Sequence, residues 1–343
     1  VQQLMWYPRK HGAFSRRYFR GFLMRAAFLR LLVAVLALGI PGAASANPQL
    51  ALIPGARANM EVLPTERVRG EAFAYDHAVT IALPASYAVQ PEARYPVIWV
   101  LDDPLMTRTV VATVDLLVSG NMMPEAIVIG VGSPSEEGLA GVGRRIVEFS
   151  PPGEGFAAPG LNAEAMATVA PFPPYPHRAD EFLAFLIDEL RPQLAARYRF
   201  ADDHILHGHS LGGLLAGYAL FSRPEAFDRM IIGSPAMANV DDAVFKAEEA
   251  FASTGRDLPV ELYVGAGGEE GNGWFLNVGG ILTGTTRFIE RLQLRGYEGL
   301  TLRSQFYTGE NHYTVVPRIL SDALRHFYRE QAAGSSSTWP QRP

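Results

Sequence analysis

The sequence predicts an α/β fold, a mostly parallel central sheet with helices on both faces. Three observations carry that expectation. Short apolar runs bounded by Gly, Pro and Asp alternate with helical stretches along most of the chain. Several of the runs are almost continuously apolar, as strands buried on both faces are. One of them ends in a serine framed by glycines and leads straight into helix-forming residues, in "LHGHSLGGLLAGYALF" from Leu206 to Phe221.

The elements follow in chain order. "HAVTIALP" (His77 to Pro84) alternates and reads as a strand, and "YPVIWVLDD" (Tyr95 to Asp103) and "EAIVIGVG" (Glu125 to Gly132) read as buried strands. "ADEFLAFLIDELRPQLAARY" (Ala179 to Tyr198) places Phe182, Phe185, Leu186, Leu190 and Leu194 on one helical stripe. "HILHG" is then a strand, "LGGLLAGYALFSRP" a helix and "RMIIGS" a strand. A helical stretch around Asp241 to Ser253 precedes the strand "PVELYVG" (Pro259 to Gly265). Thr286 to Arg295 reads as helix, Leu300 to Tyr307 as strand and Pro317 to Glu330 as helix. Right-handed strand–helix–strand connections then give a mostly parallel sheet, whose ligands sit at the carboxyl ends of its strands.

Composition limits the function classes. The chain has 343 residues, 48% hydrophobic and 19% charged, enough for a sizeable core. It has no cysteine, which excludes disulfides, a thiol nucleophile, thiolate metal sites and a lipidated N-terminal Cys. No metal and no organic cofactor is expected. Residues 1–46 carry seven basic and no acidic residues and end in "LLVAVLALGIPGAASA", which reads as a cleavable export signal whose apolar run is too short to span a bilayer. Two starts fit it: a short n-region from Met24, or a twin-arginine segment "SRRYFRGFL" from Ser15. Cleavage leaves 23 basic against 35 acidic residues, a formal charge of −12, which disfavours nucleic acid and anionic membrane surfaces as partners. The expected product is periplasmic or secreted, without stable membrane insertion.

Residues 47–70 read as an extended lead-in, 71–331 as the folded body and 332–343 as a disordered tail. The Pro/Gly-rich segment from Ser150 to Pro176 has the length and composition of either a lid or a disordered loop. Oligomeric state is left open.

The chemistry centres on Ser210. A G-x-S-x-G match alone arises by chance in about one chain in five of this length and glycine content, so its context decides. Here the serine stands between a strand and a helix, where Gly208 and Gly212 relieve a sharp turn and the Leu211 N–H faces a developing oxyanion. Such elbows carry their partners in the order Ser, acid, His. The histidines after Ser210 are His312, in a loop after a strand, and His326, in a helical stretch where packing is the better role. His312 is therefore the expected base. "GAGGEEGN" supplies Glu270 as the acid, with Glu269 as the alternative; Glu310 or a Ser–His dyad without a close carboxylate also stays open. A second oxyanion donor is expected after the strand ending at Leu101, and because Pro104 has no N–H, Asp103 is the candidate. His209, the variable elbow residue, is expected to line the pocket.

Taken together, "YPVIWVLDD", "RRIVEFSPP", "ADEFLAFLIDELRPQLAARYRF", "GHSLGGLLAGYALFSRPEAFDRMIIGSP", "LYVGAGGEE" and "ENHYTVVP" resemble the esterase D-like branch of the α/β-hydrolases. The resemblance runs from about Val79 to Phe327. It implies an α/β-hydrolase fold and a serine carboxylic-ester hydrolase, with Ser210 as nucleophile, His312 as base, Glu270 as acid, and Leu211 with Asp103 as oxyanion hole. The branch includes esterases of catecholate siderophores, so the expected partner is a small-molecule ester, a siderophore-type lactone or an aryl or acyl ester. Arg145 matches an arginine that such a substrate would meet; the other reading of Arg145 is a structural ion pair. Three departures bear on substrate. Asp103 stands where relatives often have Gly, placing a carboxylate that would repel anions. "SPAMANV" puts Ala236 and Met237 where relatives carry aromatics, implying a roomier pocket lined by Met237. His177-Arg178 replaces a frequent Gly pair. An acyltransferase with the same triad and a catalytically silent binding module are the alternative functions.

Overall fold

The computed structural model describes residues 60–153, 177–237 and 242–329. The expected export signal, the tail, most of the lead-in and nearly all of the Ser150 to Pro176 segment lie outside them.

Nine strands among the described residues form one sheet in the order β1-β3-β5-β4-β6-β7-β8-β9, with β2 also on β3. They are β1 (Glu61–Val62), β2 (Glu66–Val68), β3 (His77–Leu83), β4 (Tyr95–Leu101), β5 (Ile127–Gly132), β6 (Phe200–His209), β7 (Arg229–Gly233), β8 (Glu261–Gly267) and β9 (Thr301–Tyr307). From β5 to β9 every pairing is parallel, while β1, β2 and β3 are antiparallel additions at one side. The expected mostly parallel α/β architecture is present.

The central strands are buried on both faces, and their alternation sorts side chains between two apolar layers. Val97, Trp99 and Leu101 of β4 face one cluster, and Ile98 and Val100 face the other. The second layer is closed by α1 (Leu105–Ser119) through Met106, Val110 and Val114 and by α8 (Val316–Phe327) through Ile319, Leu320 and Leu324. The first is closed by α2 (Leu139–Phe149), α3 (residues 179–195), α4 (Leu211–Ser222), α5 (Ala243–Ser253) and α7 (Ile281–Arg295), with a short α6 (Trp274–Val278) before α7. Helix α3 runs Ala179–Ala184, widens into a π-helical stretch over Phe185–Leu190 and ends Arg191–Ala195. Its predicted stripe is the buried face: Phe182, Phe185, Leu186, Leu190 and Leu194 are at most 1% exposed. Each such side chain contributes about 1.5–3 kcal/mol of burial.

Three helices have no counterpart in the sequence reading: the short α6, and two longer ones, α1 and α2. In α1, "LMTRTVVATVDLLVS", the β-branched Val and Thr residues favour strands locally; the helix forms because Val110, Val114 and Leu117 fall on one face and bury against the sheet. In α2, "LAGVGRRIVEF", two glycines weaken the local signal. Both follow strand carboxyl ends, and both border the site.

Candidate active site

The turn from β6 into α4 is a strained elbow. Ser210 has φ 60° and ψ −117°, a region non-glycine residues rarely occupy. It is held there by three backbone hydrogen bonds: its N–H donates to Gly233 O (3.0 Å), and its carbonyl accepts from Leu214 N and Ala236 N (3.0 Å each). A Cβ at Gly208 would lie 2.1 Å from Gly212 O, so the strand and the helix cross here only because residue 208 has no side chain. Leu211 opens α4, and its N–H belongs to the first turn, where no intrahelical acceptor exists.

The two glutamates after β8 separate clearly. They sit in the 3-10 turn Gly268–Asn272. Glu270 is 1% exposed, and its Oε1 lies 3.5 Å from His312 Nδ1 while accepting from Ser234 Oγ (2.7 Å) and Gly267 N (3.3 Å). Glu269 is exposed and takes the side chain of Asn272 (2.6 Å). Glu310 pairs with Arg318 (2.8 Å) on the surface. The turn carrying Glu270 and the loop carrying His312 are tied by Glu269 N to Glu310 O (3.0 Å). Gly267 permits that approach, since a Cβ there would meet Glu310 O at 2.4 Å.

His312 is 8% exposed. Its ring packs on His209, with centroids 4.5 Å apart and planes at 44°. His209 is 2% exposed, and burial, with the positive field of His312 next, holds its pKa well below the ordinary histidine value. His326, by contrast, lies on α8, away from this cluster.

Ser210, His312 and His209 line one cavity of about 410 Å³ at the carboxyl ends of the strands. Its walls come from the turn after β4 (Asp102, Asp103, Leu105), the segment after β5 (Ser133, Pro134) and one face of α2 (Val142, Arg145, Glu148). The volume is that of a small-molecule site.

Three sequence expectations change here. The Asp103 carboxyl does not confront a substrate: it is buried behind the turn, where Thr80 Oγ1 donates to its Oδ2 (2.8 Å), and burial raises its pKa. The carboxylate facing the cavity is that of Asp102, which has φ 68° and takes two hydrogen bonds from Arg145, through Nε and, at 2.9 Å, Nη2. Arg145 Nη2 also reaches His209 O (3.4 Å), so the guanidinium bridges the turn after β4 and the elbow before Ser210. The Asp103 N–H points to Val131 O at 3.4 Å, a long hydrogen bond.

Met237 does not line the cavity. It is 1% exposed, seated between α4 and α7 where Gly217 and Gly284 leave room; a Cβ on Gly284 would come within 2.3 Å of its own. An apolar side chain that can reach the core gains more there than at a solvent-open wall. Sequence reasoning missed Asp102 and Glu148. The helical spacing of Val142, Arg145 and Glu148 is the signal that marks this face of α2.

The profile of the family described as "Putative esterase" matches residues 70–327. The chain belongs to this esterase family. Among curated proteins it is 26% identical over 247 residues to the ferri-bacillibactin esterase BesA of Bacillus subtilis strain 168, covering 68% of this chain and 79% of that protein. It is 27% identical over 201 residues to the siderophore triacetylfusarinine C esterase of Aspergillus fumigatus, covering 57% of this chain and 62% of that one. Among solved structures, the BES protein from Bacillus cereus superposes with a TM-score of 0.62 at 26% identity, over 76% of this chain and 93% of that one. The esterase therefore falls in the esterase D-like branch of the α/β-hydrolases, a family of carboxylic ester hydrolases.

Proposed function

We propose that this esterase is a serine hydrolase working through an acyl-enzyme. Ser210 Oγ attacks the ester carbonyl, His312 takes its proton and returns it to the leaving alcohol, and Glu270 orients the imidazole through Nδ1. Water activated by His312 then releases the acid. The Leu211 N–H is the first oxyanion donor. The Asp103 N–H is the second, freed from its long bond to Val131 O as the substrate oxygen arrives.

The observation that carries this reading is the convergence of a strained serine elbow, a buried glutamate and a histidine 3.5 Å from it at one cavity. Relatives named for siderophore esters support a siderophore-type lactone or ester as the natural substrate. The basic, acid-free N-terminal segment supports export to the periplasm or beyond.

The test is release of p-nitrophenol from acetyl, butyryl and octanoyl esters by the wild-type protein and by Ser210→Ala. Loss of the nucleophile should cost about 10⁶-fold in kcat. Equal rates in the two proteins would remove Ser210 from the chemistry.

A further inference from the structure

We infer that the cavity selects uncharged, apolar esters and discriminates against anionic ones. This rests on the serine-hydrolase reading and narrows its substrate: among siderophore-type esters it keeps uncharged lactones and esters and disfavours an anionic ferric catecholate. The carrying observation is the charge inventory of the walls. Among the described residues lining the cavity the permanent cation is Arg145, and its guanidinium is engaged by Asp102 through two hydrogen bonds and by His209 O. A substrate carboxylate or ionised phenol has to displace Asp102 to reach it.

Beyond that pair, the walls offer an entering anion a further acidic side chain and no second permanent cation among the described residues. Glu148, 1% exposed, borders the same cavity and is hydrogen-bonded by the buried His77 (3.0 Å); among the described residues its ion-pair partner is that histidine, not an arginine or lysine. His209 is held neutral by burial and adds no cation. Burying an anion here meets like charge in a partly desolvated space, which is costly without a dedicated partner.

The rim is apolar. Leu105, Val142 and Tyr313 line the mouth and are 61%, 47% and 72% exposed. With Met106 and Phe149 deeper in, they offer a neutral aliphatic or aromatic group a continuous apolar path to Ser210. An apolar substituent therefore gains by entering the cavity, and an anionic one loses.

The experiment compares two fluorophosphonates of equal chain length, one ending in a methyl group and one in a carboxylate, by their rates of labelling Ser210, and in parallel p-nitrophenyl butyrate with mono-p-nitrophenyl succinate by kcat/KM. The neutral member of each pair should react at least about tenfold faster. Equal rates, or faster reaction of the anion, overturn the inference while leaving the serine-hydrolase reading intact. Failure of both probes to label overturns that reading, and the inference with it. Asp102→Asn frees Arg145 and should lower the neutral-to-anionic labelling ratio at least about threefold; an unchanged ratio makes the preference one of shape and overturns the charge argument.

Discussion

Glu270 Oε1 lies 3.5 Å from His312 Nδ1, and the same oxygen accepts the Ser234 hydroxyl at 2.7 Å. The Glu270 carboxylate is thus fixed from two sides, by a side chain at the end of β7 and by its own turn. Glu270→Gln keeps the shape and removes the charge that holds the imidazole's tautomer. It should lower kcat by about 10³–10⁴-fold. Glu269→Gln and Glu310→Gln, on surface carboxylates, should leave kcat within about twofold. Steady-state kinetics on one p-nitrophenyl ester decides among the three, and a larger loss in Glu269→Gln than in Glu270→Gln would reverse the assignment.

Gly208→Ala tests the elbow itself. Its Cβ would sit 2.1 Å from Gly212 O, a backbone atom that cannot move without unpicking α4 from β6. The variant should lose more than about 3 kcal/mol of stability or fail to fold. Gly212→Ala places its Cβ 3.1 Å from a side-chain oxygen, Asp102 Oδ2, and should be milder. Thermal unfolding of the two variants beside wild type ranks them, and equal stability would remove the steric account of the motif.

These residues also mark how far the sequence reaches. That Ser210, His312 and the Glu269–Glu270 pair gather at one sheet edge was legible because each follows a strand, and the sheet brings strand ends together. The choice between Glu269 and Glu270 was not, because adjacent residues differ only in which one the 3-10 turn buries. Helices α1 and α2 escaped because β-branched and glycine residues blur the helical signal until the sheet supplies a face to bury. Met237 was placed at the site by neighbourhood to the "SP" turn, but its side chain follows the space left by Gly217 and Gly284, a tertiary fact.

The bridge from Arg145 to Asp102 and His209 O predicts a positioning role. Arg145→Met and Asp102→Asn should each lower kcat on a neutral ester by about 10- to 100-fold with KM changed much less. The double variant should be little worse than either single one, a coupling of about 1–3 kcal/mol. An arginine that instead gripped substrate would raise KM alone and show no coupling to Asp102. A double-mutant cycle in kcat and KM separates the two.

Acid lability should come from two histidines of β6, the buried His207 and the half-buried His204. Burial pulls His207, 1% exposed on β6, down to about 4, and His204 on the same strand falls to about 4 as well, again mainly by burial. In the unfolded chain both titrate at the ordinary value of 6.5. Below that pH the unfolded state binds protons the folded state refuses, so stability present above about 6.5 drains as pH falls to about 4 and changes no further below it on account of these groups. His207 accounts for about 3 kcal/mol over that window, and the half-buried His204 for less because solvent screens it. His207→Leu keeps an apolar side chain in a layer already lined by Ile205, Ile231 and Tyr263, and removes one titrating group. Denaturant unfolding at pH 7.5 and pH 4.5 should therefore show a wild-type loss that shrinks by about 2–3 kcal/mol in the variant. An identical loss in both proteins would mean that His207 takes up its proton without unfolding the strand.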